Sequence, residues 1–148
     1  MTTRSLHPKL DEISAVARAH CPLVIIVTES WLNEDVNFSD ICLPGYSIPF
    51  RRDRVGRRGG GVCAYVSTYI RFCDVSLSAQ SSLPVESLWI RLAHFKILLF
   101  AACIPPNFPK DVSEPLIQKI TYEADLLIDD STNLRLILTG DFLSLIHI

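Results

Sequence analysis

Two acidic residues stand where the chain leaves an apolar run. Glu29 follows Leu23-Val24-Ile25-Ile26-Val27-Thr28, and Asp141 follows Leu134-Arg135-Leu136-Ile137-Leu138-Thr139-Gly140. A carboxylate at the end of a buried strand lies at a sheet edge, where the core opens to solvent. Two such carboxylates on neighbouring strands would make a hard oxygen site suited to Mg²⁺. For one run alone the better reading is a strand that simply exits the core through a charged residue. Here both runs carry further context, Glu29-Ser30-Trp31 and Gly140-Asp141-Phe142, and that shifts the reading towards chemistry.

A second cluster is basic. Arg51, Arg52, Arg54, Arg57 and Arg58 hold five of the chain's 14 basic residues and run into Gly59-Gly60-Gly61. Guanidinium groups donate paired hydrogen bonds to phosphate, and glycines let backbone approach closely. A phosphate-backbone contact loop and a solvated turn entering a strand are equally compatible with the local pattern. Tyr65, Tyr69 and Trp89 sit in strand-like patterns and read as core or sheet face rather than base-stacking platforms. The histidines His7, His20, His94 and His147 show no zinc-ligand spacing.

The elements that must position these groups follow from periodicity. Residues 8–20 read as a helix, with Pro8 in the first turn and Leu10, Ile13, Val16 and Ala17 on one face. Residues 23–28 are apolar on both faces and predict a central, fully buried strand. Residues 30–50 read as loop with short strand pieces, and Leu43-Pro44-Gly45-Tyr46 as a turn. Residues 61–69, 86–92 and 95–104 are strand-like, with a hairpin-sized connection at Ala93-His94 and a stop at Pro105-Pro106. Residues 112–130 read as a helix, with Leu116, Ile120, Ala124 and Leu127 at near-helical spacing, and a last strand leads to Asp141. The mixed order of helices and strands predicts a layered α/β arrangement.

Composition bounds the class. The chain has 148 residues, 49% apolar and 20% charged, which describes one globular domain rather than a disordered chain. A net charge of -2 argues against a histone-like protein but leaves local nucleic-acid contacts open. The cysteines, Cys21, Cys42, Cys63, Cys73 and Cys103, form no C-x-x-C pair. They read as reduced thiols, most of them small core residues, in a nuclear or cytoplasmic rather than secreted protein. No apolar run approaches the roughly 20 residues of a membrane span.

Together the motifs resemble the endonuclease domain of non-LTR (LINE-like) retrotransposons, within the exonuclease-endonuclease-phosphatase superfamily. The matching stretches, in family order, are Arg4-Ser5-Leu6 with Lys9-Leu10-Asp11-Glu12; Thr28-Glu29-Ser30-Trp31-Leu32; Leu43-Pro44-Gly45-Tyr46; Arg51-Arg52-Asp53-Arg54 into Arg57-Arg58-Gly59-Gly60-Gly61-Val62; Glu86-Ser87-Leu88-Trp89; Pro105-Pro106-Asn107; and Gly140-Asp141-Phe142. The resemblance implies a four-layer α/β/β/α sandwich of deoxyribonuclease type and Mg²⁺-dependent hydrolysis of a DNA phosphodiester. It makes Glu29 a metal ligand and Asp141 the group that orients or deprotonates the attacking water. It implies DNA as partner, with Arg51, Arg52, Arg54, Arg57 and Arg58 on the backbone, and no small-molecule cofactor or membrane.

The match has departures. Thr2 stands where the family has asparagine, Cys103 where it commonly has tyrosine, and Leu143 where asparagine follows Gly-Asp-Phe. The family's later Asp-His pair has no counterpart. Residues 1–142 are therefore expected to be an incomplete endonuclease domain, marginally stable and inactive alone, and residues 143–148 a non-native, adapter-derived tail. The alternatives are a degenerate relic, a nucleic-acid-binding fragment, or, more remotely, a phosphatase or phosphodiesterase of the same superfamily.

Overall fold

Side-chain alternation along the strands determines the layering. In β3 (Val62–Val66), Val62, Ala64 and Val66 face one apolar cluster while Cys63 and Tyr65 face another. In β6 (Ile97–Cys103), Leu99 and Ala101 join the first of these clusters, and Leu98, Phe100 and Ala102 enter a third. A period of two that is apolar on both faces needs a layer on each side. The computed structural model, which describes residues 6–56, 58–71, 73–74, 83–105, 108–128 and 133–141, supplies those layers.

One sheet has the order β1 (Val24–Thr28), β3, β2 (Phe50–Arg52), all antiparallel. The other has the order β4 (Cys73–Asp74), β5 (Glu86–Leu92), β6, β7 (Arg135–Asp141). Their facing sides meet through Val62, Ala64, Leu88, Ile90 and Leu99. The helix α1 (Leu10–His20) and the turn at Phe38–Ile41 cover the outer face of the first sheet, where Ile41, Leu43 and Tyr65 are buried. The helix α2 (Lys110–Leu127) covers the second, setting Leu116, Ile120 and Ala124 against Trp89 and Phe100. The result is the α/β/β/α sandwich expected.

Several side chains bridge the layers through hydrogen bonds. The Tyr65 hydroxyl donates to the Ile41 carbonyl at 2.7 Å, and the Trp89 indole N–H to Glu123 at 2.9 Å. The Arg91 guanidinium reaches the Leu127 carbonyl near the end of α2, where a cation complements the helix dipole. β5 and β6 pair antiparallel around a short turn, Ala93–Phe95, whereas β6 and β7 run parallel. A parallel pair needs a crossover, and α2 lies in that connection.

Several expectations change. Among the described residues β1 is an edge of its sheet with every residue only partly buried, not a central, fully buried strand. Its two-sided apolar pattern reflects packing on both faces, Val24 and Ile26 inward, Ile25 and Val27 outward, rather than a strand on each side. Tyr69 is not core: it is 92% exposed, because β3 ends at Val66 and the chain turns. Cys63 and Cys103 are buried, but Cys21 and Cys42 are exposed, since each follows a helical turn at the surface. The second helix runs over Lys110–Leu127. Thr2, Arg57 and residues 143–148 lie outside the described residues.

Gly140 sits in β7 with φ 135°, and a Cβ there would overlap the Ala102 carbonyl oxygen of β6. Gly140→Ala must therefore separate the two strands or strain the backbone. It should cost about 3 kcal/mol. The Tm, measured by circular dichroism, should fall by about 6–12 °C.

Candidate active site

Both sheets end at one edge, and the register shows which residues arrive there. In the first sheet Thr28 pairs with Val62 and Arg52 with Val62, so the end of β1 and the β2–β3 loop lie together. In the second, Glu86 pairs with Cys103 and Cys103 with Asp141. Two contacts close the sheets on each other at this edge. The Cys103 thiol donates to Glu29 Oε1 at 3.3 Å. Arg54 grips Glu86 with two hydrogen bonds, Nε to Oε1 at 2.8 Å and Nη2 to Oε2 at 2.9 Å.

Glu29 is the most constrained of these groups. Its Oε2 accepts from the Trp31 indole N–H at 2.7 Å and from the Gly60 amide at 3.0 Å. The backbone around it is held as well: the Ser30 amide donates to the Gly61 carbonyl and the Trp31 amide to the Gly60 carbonyl. Glu29 and Trp31 both have φ 53°, left-handed backbone that costs non-glycine residues on the order of 1–3 kcal/mol. Such strain persists only where the surroundings over-determine it. Gly60 is required for the same reason, with φ 71° and a Cβ position that the Arg54 guanidinium already occupies.

The electrostatics favour an ionised Glu29. Burial alone would raise its pKa, but the bonds from Trp31, Gly60 and Cys103 and the nearby Arg54 charge outweigh that, and the carboxyl lies below its ordinary value. The reverse holds for Cys103, whose thiol is pushed up to about 12 by burial, with the neighbouring carboxylates Glu29 and Glu86 adding to it. Cys103 is thus a neutral hydrogen-bond donor, not a thiolate.

The structure brings Glu29 and Asp141 to the same edge: Glu29 touches the Cys103 thiol from the facing sheet, and Asp141 is the register neighbour of Cys103 in β7. The arginines divide. Arg51 is committed internally, donating to Asp53 at 2.7 Å and to the Val36 and Asn33 carbonyls. Arg54 is committed to Glu86. Arg52 lies at the end of β2, and Arg58 is exposed with its guanidinium 5.5 Å from the centre of the Trp31 ring. Sequence reasoning misses Glu86 as a site residue, although it opens the strand motif Glu86-Ser87-Leu88-Trp89. The signal is a carboxylate at the start of a mostly apolar strand, the mirror image of Glu29.

The groups present suit a hard cation in part. Mg²⁺ is bound through one or two carboxylates and keeps several waters. An ionised Glu29, whose Oε1 meets only a weak thiol donor, fits the role of one such ligand. Among the described residues no three His, Cys, Asp or Glu side chains already converge as a cage.

Solved structures share this architecture. The chain aligns with an AP endonuclease from Archaeoglobus fulgidus at TM-score 0.57 and 14% identity, covering 93% of this chain and 53% of that one. It aligns with a 3′-5′ exonuclease, NExo, from Neisseria meningitidis at TM-score 0.57 and 17% identity, covering 94% and 54%. A 3′ phosphatase NExo from Neisseria bound to product DNA hairpin gives TM-score 0.55 and 16% identity, covering 95% and 55%. The chain therefore has the deoxyribonuclease-like fold of these proteins and spans about half their length. No protein-family model and no curated protein sequence matches it. No helix among the described residues is long and apolar enough to cross a membrane.

Two measurements check the site's electrostatics. A folded pKa below the unfolded one gives Glu29 a stabilising contribution that is present above the ordinary value of 4.5 and is lost as pH falls through the depressed folded value. Tm plotted against pH should therefore fall more steeply below that value in the wild type than in Glu29→Gln; parallel curves would show that Glu29 is not held as described. In timed alkylation followed by mass spectrometry, Cys21 and Cys42 should label first. Cys63 and Cys103, both buried and pushed up to about 12, should label only on unfolding.

Proposed function

We propose that this chain is part of a Mg²⁺-dependent DNA endonuclease of the non-LTR retrotransposon type, which nicks chromosomal DNA so that the freed 3′ hydroxyl primes reverse transcription. The observation that supports this is that Cys103 touches Glu29 and is in register with Asp141, so that both carboxylates belong to one sheet edge. The sequence motifs quoted above and the shared nuclease fold support the same reading. An enzyme of this kind works on DNA in the nucleus.

Each residue has a definite task. Glu29, ionised and immobilised by Trp31 and Gly60, is a ligand for the metal. Bound Mg²⁺ supplies charge neutralisation at the scissile phosphate and the leaving oxygen. Asp141 takes a proton from, or orients, the attacking water at its carboxylate. Arg52 and Arg58 hold the phosphate backbone on the nearby loop, with Arg57 alongside them in sequence. Arg51 and Arg54 act differently from the expectation of direct backbone contact: they brace the loop through Asp53 and Glu86, leaving their neighbours to meet DNA.

The resemblance assigns a principal phosphate-contacting role to an Asp-His pair, and no Asp-His dipeptide occurs in this sequence. The chain by itself is therefore proposed to bind DNA without nicking it. A plasmid assay with Mg²⁺ should leave supercoiled DNA intact; nicking that Glu29→Ala and Asp141→Ala abolish would overturn the inactivity and confirm the site. DNA binding should weaken with salt. Replacing both Arg52 and Arg58 with alanine should flatten the log-log slope by about 0.9 for each phosphate that these side chains neutralise. An unchanged slope would remove the loop from the interface.

A further inference from the structure

A cleft of about 770 Å³ opens against Trp31, the residue whose indole N–H bonds Glu29. It is lined by Trp31 and Glu34 from the segment after β1 and by Asp53, Arg54, Val55 and Arg58 from the β2–β3 loop. We propose that this cleft takes an unpaired nucleobase of single-stranded DNA, adjacent to the phosphate handled at Glu29. The assignment rests on the DNA-handling reading above and deepens it by naming what the site accepts.

The cleft offers a fixed aromatic surface. The Trp31 indole is anchored by its hydrogen bond to Glu29 Oε2 at 2.7 Å. The Gly59 backbone lies alongside it, so close that a Cβ there would stand 3.5 Å from indole Cε2. A ring already ordered loses little entropy when a base stacks on it. The exposed Arg58 guanidinium over the same ring is a second planar surface that a base can stack on or displace.

Charge points to a base rather than a phosphate in the cleft itself. The cleft mixes both signs of charge: Asp53 is paired with Arg51 and Arg54 with Glu86, which leaves Glu34 and Arg58 as the opposite charges that line it beside them. A phosphate entering there would meet the Glu34 carboxylate as well as Arg58, whereas the neutral, polar edge of a base finds both donors and acceptors. Val55, 93% exposed on this charged loop, adds an apolar contact for base or sugar. A volume within the roughly 300–1,000 Å³ usual for small-ligand clefts suits one nucleotide. Bases stacked in a duplex do not present a free face, so the occupant is unpaired or extruded.

The chain's own fluorescence tests this. It has two tryptophans, and Trp89 is 2% exposed beneath α2 and bonded to Glu123, so emission changes caused by DNA report Trp31. Adding a short single-stranded oligonucleotide in Mg²⁺ buffer should quench that emission saturably. The same oligonucleotide with an abasic central residue should bind roughly fivefold or more weakly, the loss expected for one stacked base. With 2-aminopurine at the central position, Trp31→Leu should erase the preference for the base, while remaining Trp89 emission confirms the fold. Val55→Ser, outside the core, should weaken the intact oligonucleotide and not the abasic one. Equal affinity for the two oligonucleotides overturns the base cleft and leaves phosphate binding standing. No saturable binding of either overturns both. Base-dependent binding supports the cleft whether or not nicking is ever observed.

Discussion

Everything at the candidate site depends on how one carboxylate oxygen is satisfied. Glu29 Oε2 takes a proton donor from a side chain two residues on, Trp31, and another from the backbone of a distant loop, Gly60. The first holds the indole across two residues with left-handed backbone; the second ties the β2–β3 loop to the end of β1. Hydrogen bonds to a charged acceptor are roughly twice as strong as neutral ones, so this pair can sustain the local strain. The other oxygen, Oε1, is left with a thiol, the weakest donor in the set. The carboxylate is thus rigid on one side and receptive on the other.

The same edge is where the two sheets are cross-linked without covalent bonds. Arg54 reaches from the loop of the first sheet to Glu86 at the start of β5 in the second, and Glu29 reaches Cys103 at the end of β6. Between them the inner faces are apolar and closely packed. Directional contacts confined to the rim fix the relative setting of the sheets, whereas the hydrophobic interior supplies the bulk of the attraction and little orientation. Displacing either polar link would shift Glu29 relative to Asp141, because the two stand on different sheets.

Much of this was legible from residue order. The strand runs, both helices and the two acidic termini stand out because apolar spacing and the exit from an apolar run are local signals. The layered architecture followed from them. What could not be read locally was partnership. β1 looks central by composition, yet only sheet order reveals it as an edge. Five arginines look equivalent in the chain; three-dimensional neighbours separate Arg51 and Arg54, which are spent on Asp53 and Glu86, from the exposed Arg58. Glu86 escaped notice because its partner lies 32 positions away. Cys103 stands out in the sequence only as a departure from the family's tyrosine, and its place between Glu86 and Asp141 exists only once β5, β6 and β7 are in register.

The parallel junction of β6 with β7 also bears on the order in which the molecule assembles. β5 and β6 meet through a three-residue turn, and such short-range pairing closes quickly. β7 gains its ladder only after α2 has doubled back across the sheet and buried Leu116 and Ile120 against Phe100. A contact of that sequence separation carries a larger loop-closure cost and forms later. Asp141 rides on this strand. Glu29 depends in the same way on β1 meeting β3 across as long a stretch of chain, Ile26 opposite Ala64, so both carboxylates are set by long-range pairings and neither by the quick β5–β6 hairpin.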